Sequence, residues 1–288
     1  RAARAAARQR EQEGEQAGVE YWEDADDTTR QAIESSPVLR LFCRRKWIEQ
    51  AKPVGRSVDG VPIGMEPRER SRIDTERTKQ ALAAALAIEK QYDIDTAYAV
   101  DGSADSAPAL AEDEMGAAAA AWGAWDGQQA HGGALPPGLG NQTAELVAIE
   151  RMLARHEAGD RVLLLCDCQA AMQAIEAAWR CGELGRQGAM NGRLGGGIIE
   201  AITRHRIRMA GPRARGPMGT ARTGCACLLW VKAHGGGVAP NAYADAIAKS
   251  HLGEEPGDVP LAAQLPRVCI YAVAGVGAGT GRRRWEVA

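Results

Sequence analysis

Four acidic residues stand where their carboxylates could act together. They are Asp101 in AVDGSA, Glu145 in NQTAELVAIERML, Asp167 in VLLLCDC and Asp245 in NAYADAIAKSHL. Asp101 and Asp167 each close an apolar run that reads as a buried strand, and Glu145 and Asp245 fall near the starts of helical segments. In an open α/β sheet, sites form beyond the carboxyl ends of the strands. If the strands of Asp101 and Asp167 are parallel neighbours, both carboxylates enter one crevice, and the two helix starts can bring the other two acids to it. Gathered acids repel, and burying them without compensation is costly. A pair of hard divalent cations removes the conflict. Oxygen donors suit Mg²⁺ or Mn²⁺, and two such ions can clamp an in-line phosphoryl displacement. Taken singly, an acid at a strand end is most often a solvated turn or cap residue; the combination is what carries the reading.

The elements that must position these residues can be read from periodicity. TAYAVDGS (96–103) is a strand ending at a turn. GAAAAAWGAW (116–125) is open between helix and buried strand. HGGALPPGLG (131–140) is rich in Gly and Pro and does not have the composition of a regular strand. An amphipathic helix follows over 141–159, with Asn141 as N-cap and Gly159 as its stop. RVLLLCDC (161–168) and CLLWVKAH (227–234) are apolar throughout, as strands buried on both faces are. Helices are expected after Asp167 from Gln169, over 198–209 and over 241–253. Counting 131–140 as a weak strand, the order is strand, strand, strand, helix, strand, helix, helix, strand, helix. That order predicts a mixed α/β sheet with an antiparallel start and parallel crossovers.

The blocks AVDGSA, NQTAELVAIERML, VLLLCDCQAAMQAI and LLWVKAHGGGVAPNAYADAIAKSHL resemble, in the same order, the four motif blocks of type 1 ribonucleases H. The resemblance covers residues 96–252, and the 22-residue spacing from Glu145 to Asp167 is also similar. It implies a ribonuclease H-like mixed five-stranded sheet flanked by helices, the first three strands antiparallel and the later ones parallel. It implies an endonuclease that hydrolyses the RNA strand of RNA–DNA hybrids with two Mg²⁺ ions, for which Mn²⁺ can substitute. The metal ligands would be Asp101, Glu145, Asp167 and Asp245. His234, in the glycine loop AHGGG, would be a mobile catalytic histidine rather than a loop residue. Asn141, Gln142 and Gln169 match polar positions that contact the 2′-hydroxyl-lined minor groove. Gly140 stands where many relatives carry a Thr that helps hold phosphate. The alternative from another class is a non-catalytic ribonuclease H-like domain used for nucleic-acid binding or scaffolding, which a lost carboxylate would favour; all four are present.

Net charge is −2, so bulk charge does not mark a nucleic-acid binder, but its distribution does. Residues 186–222 hold eight Arg and one acid, Glu200. Arg204, Arg206 and Arg208 within it are candidates for phosphate contact, set against a solvated polar face. Cys166/Cys168 and Cys225/Cys227 are two C-x-C pairs that suggest zinc. One pair ends its strand and the other begins its own, so in parallel neighbours they lie apart, and buried core thiols are the better reading.

Outside 96–252 the chain offers less. Residues 1–18 form a low-complexity tail, Arg- and Ala-rich as some transit peptides are but followed at once by Glu11, Glu13 and Glu15. Residues 19–95 read as a polar, partly helical extension with little packed structure before a helix at 74–92. Residues 253–288 read as a mostly irregular C-terminal tail. No apolar run reaches the length of a membrane span. Seven cysteines, an odd number, suggest reduced thiols and an intracellular setting. The initial Arg favours an origin in a retroelement polyprotein beside a reverse transcriptase, although no Y-x-D-D run is present in this chain.

Overall fold

The computed structural model describes residues 21–50, 64–65, 70–105, 119–136, 139–181, 196–211, 223–232, 237–252 and 254. At its centre is a five-stranded sheet. The strands are β1 (Thr96–Ala104), β2 (Ala120–Trp125), β3 (Ala130–Leu135), β4 (Arg161–Cys166) and β5 (Cys225–Trp230), in the order β3-β2-β1-β4-β5. β1 pairs antiparallel with β2 and β2 with β3, whereas β4 runs parallel to both β1 and β5. This is the mixed sheet expected from the motif order.

Each face of the sheet is covered because alternate residues of β1 and β4 are apolar on both sides. Tyr98, Val100, Val162, Leu164 and Cys166 pack beneath three helices, α5 (Asn141–Ala154), α6 (Gln169–Cys181) and α7 (Gly196–Met209). On the other face Ala97, Ala99, Leu163 and Leu165 pack with α8 (Ala239–Ser250) and with helices that precede β1. These are α2 (Pro37–Phe42), α3 (Lys46–Glu49) and α4 (Thr75–Tyr92), whereas the first helix, α1 (Asp27–Ser35), packs in a separate small cluster, its Ile33 with Ala25 and Cys43.

The early helices depart from the irregular reading of residues 19–75. Their starts carry ordinary stop-and-start chemistry. Asp26 accepts the Thr29 N–H at 2.7 Å, and Ser36 accepts the Leu39 N–H at 3.0 Å with Pro37 following, whereas α4, capped by Asp74, is the helix expected at 74–92. Val38, Leu41, Phe42 and Ile48 are completely buried in the second core. These segments are too short and polar to show strong periodicity, and they become helical because the sheet supplies the apolar surface they lack.

β3 also differs from its composition. AHGGAL pairs with β2 over its full length. A Cβ at Gly132 would come within 2.5 Å of the His251 ring and 2.9 Å of the Ile247 side chain. Glycine is therefore there to let the end of α8 lie close over the strand, and pairing outweighs weak β-propensity. Three bounds also shift. α5 ends at Ala154 rather than 159, α8 spans Ala239–Ser250 so that Asp245 is mid-helix, and β1 continues three residues past Asp101. The C-x-C pairs lie apart as expected. Cys225 is opposite Arg161 at the start of β4, and Cys166 is opposite Trp230 at its end. All four of these thiols are free.

Candidate metal centre

The parallel register of β1 and β4 runs from Thr96↔Val162 to Ala99↔Leu165. Beyond it β1 follows β2 and β4 stops, and Asp101 and Asp167 occupy the gap that opens there. Gly102 sets the third carboxylate. A Cβ on it would stand 2.4 Å from the backbone nitrogen of Glu145 and 2.7 Å from the carbonyl carbon of Ala144. Only glycine lets the first turns of α5 lie directly on β1 at this point. Gly123, opposite Asp101 on β2, does the same for α8, since a Cβ there would come within 2.4 Å of the Ala244 carbonyl oxygen.

Asp101, Glu145 and Asp167 each offer a carboxylate oxygen within 4.8 Å of the other two. Asp101 and Glu145 are buried and Asp167 is half-buried. The Asp101 Oδ1 accepts the Gly102 N–H at 2.8 Å, and the Cys166 thiol lies 4.0 Å from Glu145 Oε2. Asp167 is framed by its strand ends. Its carbonyl accepts from the Trp230 indole at 3.0 Å, while the Val231 N–H bonds the Cys166 carbonyl at 3.0 Å.

Electrostatics show what the cluster lacks. Burial, then the neighbouring Glu145, Asp167 and Asp245 carboxylates, push Asp101 well above its ordinary range. Burial and Asp167 push Glu145 up to about 9, and the Asp101 and Glu145 carboxyls are hydrogen-bonded to each other. Both shifts have one cause, negative charge gathered in a buried site. The oxygen-only donor set and the mutual repulsion fit a hard divalent cation. So does Asn241, which is completely buried on α8. Its Nδ2 donates to Asp101 Oδ2 at 3.3 Å, and its Oδ1 has no hydrogen-bond partner among the described residues. Sequence reasoning passed over Asn241. The signal was its place four residues before Asp245, on the same helix face.

The other candidates divide. Asp245 is half-buried and outside the three-carboxylate group; it is 2.7 Å from Lys249 Nζ, yet its charge is felt at Asp101. Asn141 and Gln142 are exposed on the first turn of α5, four and three residues before Glu145. Gly140, not Asn141, is the N-cap, so the capping role assigned to Asn141 is corrected. Gln169 is exposed at the start of α6, two residues after Asp167. Arg208 donates to the Ala154 and His156 carbonyls at 3.2 and 2.6 Å, where it satisfies the end of α5. Arg206 lies over the Trp179 ring at 4.3 Å, and Arg204 is exposed. His234 and the remaining arginines of the basic window, Arg186, Arg193, Arg213, Arg215 and Arg222, lie outside the described residues.

Sheet order and acidic cluster together define a ribonuclease H-like α/β fold. Solved structures of that description match the chain. One is the RNase H1 of the halophilic archaeon Halobacterium salinarum NRC-1, 18% identical over 54% of this chain and 96% of that one, with a TM-score of 0.32. Another is the foamy viral protease-reverse transcriptase in complex with dsDNA, 12% identical over 56% of this chain and 96% of that one, with a TM-score of 0.38. No family model and no curated protein matches the chain.

Proposed function

We propose that this chain is a metal-dependent endonuclease that hydrolyses the RNA strand of RNA–DNA hybrids, leaving 5′-phosphate and 3′-hydroxyl ends. The observation that carries this reading is the convergence of Asp101, Glu145 and Asp167 within 4.8 Å at the open end of a parallel strand pair. These three, with Asp245 nearby, would hold two Mg²⁺ or Mn²⁺ ions. When bound, such ions supply activation of the attacking water and charge stabilisation at the departing 3′ oxygen. Asn241 orients Asp101 through its amide N–H. Asn141, Gln142 and Gln169 present small polar groups at the exposed rim, suited to 2′-hydroxyls that both donate and accept. His234 moves protons near the site and is not a metal ligand. Arg204 contacts phosphate on the flank.

The test is incubation with Mg²⁺ or Mn²⁺ and end-labelled hybrid, double-stranded RNA or duplex DNA. Cleavage of the hybrid's RNA strand alone is expected. Asp167→Asn should abolish it, whereas His234→Ala should slow it by on the order of 10² and leave metal affinity unchanged. Equal cutting of duplex DNA would overturn the hybrid specificity. Hybrid binding without cleavage by the parent would turn the reading to a non-catalytic binding domain.

A further inference from the structure

The helix that carries Asp245 is held by residues from the other end of the chain. Glu49, at the end of α3, is completely buried. Its carboxylate accepts from Arg44 Nε at 2.9 Å, from the Tyr21 hydroxyl at 2.8 Å and from the Tyr243 hydroxyl on α8. Burial opposes the Glu49 charge, but the bonds from Arg44, Tyr243 and Tyr21 outweigh it and hold the carboxyl below its ordinary value. The Tyr243 hydroxyl in turn accepts the Arg45 backbone N–H at 3.1 Å. Its ring meets Trp125 of β2 edge-on at 5.8 Å, and Trp125 meets Trp47 of α3 at 6.0 Å. Tyr243 stands midway between Asn241, which donates to Asp101, and Asp245.

A second tether acts where α8 begins. Gly237 donates to the Arg72 carbonyl at 2.8 Å and accepts from the Asp74 N–H at 2.9 Å, which makes a short parallel bridge with Ile73. Thr78 Oγ1 accepts the Ala239 N–H at 3.3 Å and donates to the Asp74 carbonyl at 2.7 Å. The strap therefore grips the start of α8, and Glu49 grips its middle.

Buried ion pairs lose much of their attraction to desolvation, so the Arg44–Glu49 pair is a weak way to add stability. Apolar packing alone would keep α8 on the sheet but would leave its rotation loosely determined. Hydrogen bonds at fixed angles to Tyr243 determine that rotation. We propose that residues 21–50 and 70–92 are a positioning element of the metal centre, in which Glu49, through Tyr243, and Thr78 set the rotation and depth of α8 and so place Asn241 and Asp245 against Asp101. The inference rests on the metal-centre reading, and it makes the functional unit longer than residues 96–252.

The test uses the full chain with Tyr243→Phe, Glu49→Gln and Thr78→Val. Asp26→Ala is the control: it removes the N-cap of α1, away from both tethers. Amide hydrogen exchange is measured without metal across α8 and α5, and Mn²⁺ binding is measured by calorimetry. Tyr243→Phe and Glu49→Gln should speed exchange in α8 relative to α5. They should also weaken Mn²⁺ binding by about 10-fold, as loss of groups that orient metal ligands does. Asp26→Ala should do neither at a comparable fall in Tm. Equal α8 protection and equal Mn²⁺ affinity in the tether variants and the control would overturn the proposal. If Tyr243→Phe fails to fold, Thr78→Val decides the question at the independent strap. If the parent takes up no Mn²⁺, the metal-centre reading fails, and α8 exchange alone decides the tether.

Discussion

Replacing Glu145 by Gln should stabilise the metal-free protein at neutral pH while removing the proposed nuclease activity. The side chain is 2% exposed, and its carboxyl is pushed from an ordinary 4.5 to about 9 by burial and by Asp167. A carboxyl raised in this way keeps a proton in the native state that the unfolded chain has already released. Its effect on stability is therefore absent below about 4.5, grows as pH rises, and is complete above about 9. At pH 7 the native state is penalised over roughly two and a half pH units at about 1.4 kcal/mol each, an upper limit of about 3.5 kcal/mol. Gln has the same shape, can still accept from the Gly102 N–H, and carries no charge to suppress. For a domain of this size that relief corresponds to a Tm higher by at most about 7 to 14 °C in chelator at pH 7, shrinking toward zero near pH 4.5. Mg²⁺ should narrow that gap. At 100 times its Kd an ion adds about 2.7 kcal/mol to the parent, and the variant, having lost a ligand, gains less. The assay is a series of thermal melts from pH 4.5 to 8.5 in chelator and in Mg²⁺. A parent whose Tm does not fall between pH 5 and 8, or a variant that falls as steeply, would refute the picture of three carboxylates held together without a counter-charge.

Other consequences are as direct. Gly102→Ala places a Cβ against the α5 backbone at 2.4 Å, so it should cost about 1–3 kcal/mol or more and depress turnover by displacing Glu145, as read by melts and hybrid cleavage. Gly140→Thr meets open space, with nothing within 4 Å of a Cβ. It should gain a few tenths of a kcal/mol as a better N-cap and tighten hybrid binding through its hydroxyl; unchanged affinity would show that no phosphate passes there. Arg204→Ala should lower the slope of log affinity against log salt by about one, while Arg208→Ala should lower Tm with the slope unchanged, because Arg208 is committed to the end of α5.

Much of the centre was legible in the residues. VLLLC must be a strand buried on both faces, and an acid directly after it must lie at the sheet's carboxyl edge. For Asp101 the strand end was misplaced, because β1 continues to Ala104 against β2; only its pairing with β4 ends before Asp101, and the order of helices and strands implied that parallel pair. These are local patterns of period and end, which chain chemistry determines without reference to distant residues. What the tertiary structure decided is of another kind. β3 is a strand because β2 pairs with it and α8 lies across its glycines, although AHGGAL has little preference for one. Residues 37–49 fold because Ala97, Ala99, Leu163 and Leu165 offer an apolar face that α8 does not cover alone. Charge density groups Arg208 with its neighbouring arginines, whereas in the fold its guanidinium bonds the carbonyls of Ala154 and His156. Asn241 meets Asp101 across 140 positions and Tyr243 meets Glu49 across 194, contacts that no periodicity announces. Directional bonds between buried polar groups depend on where two elements come to rest, and only the packed core determines that.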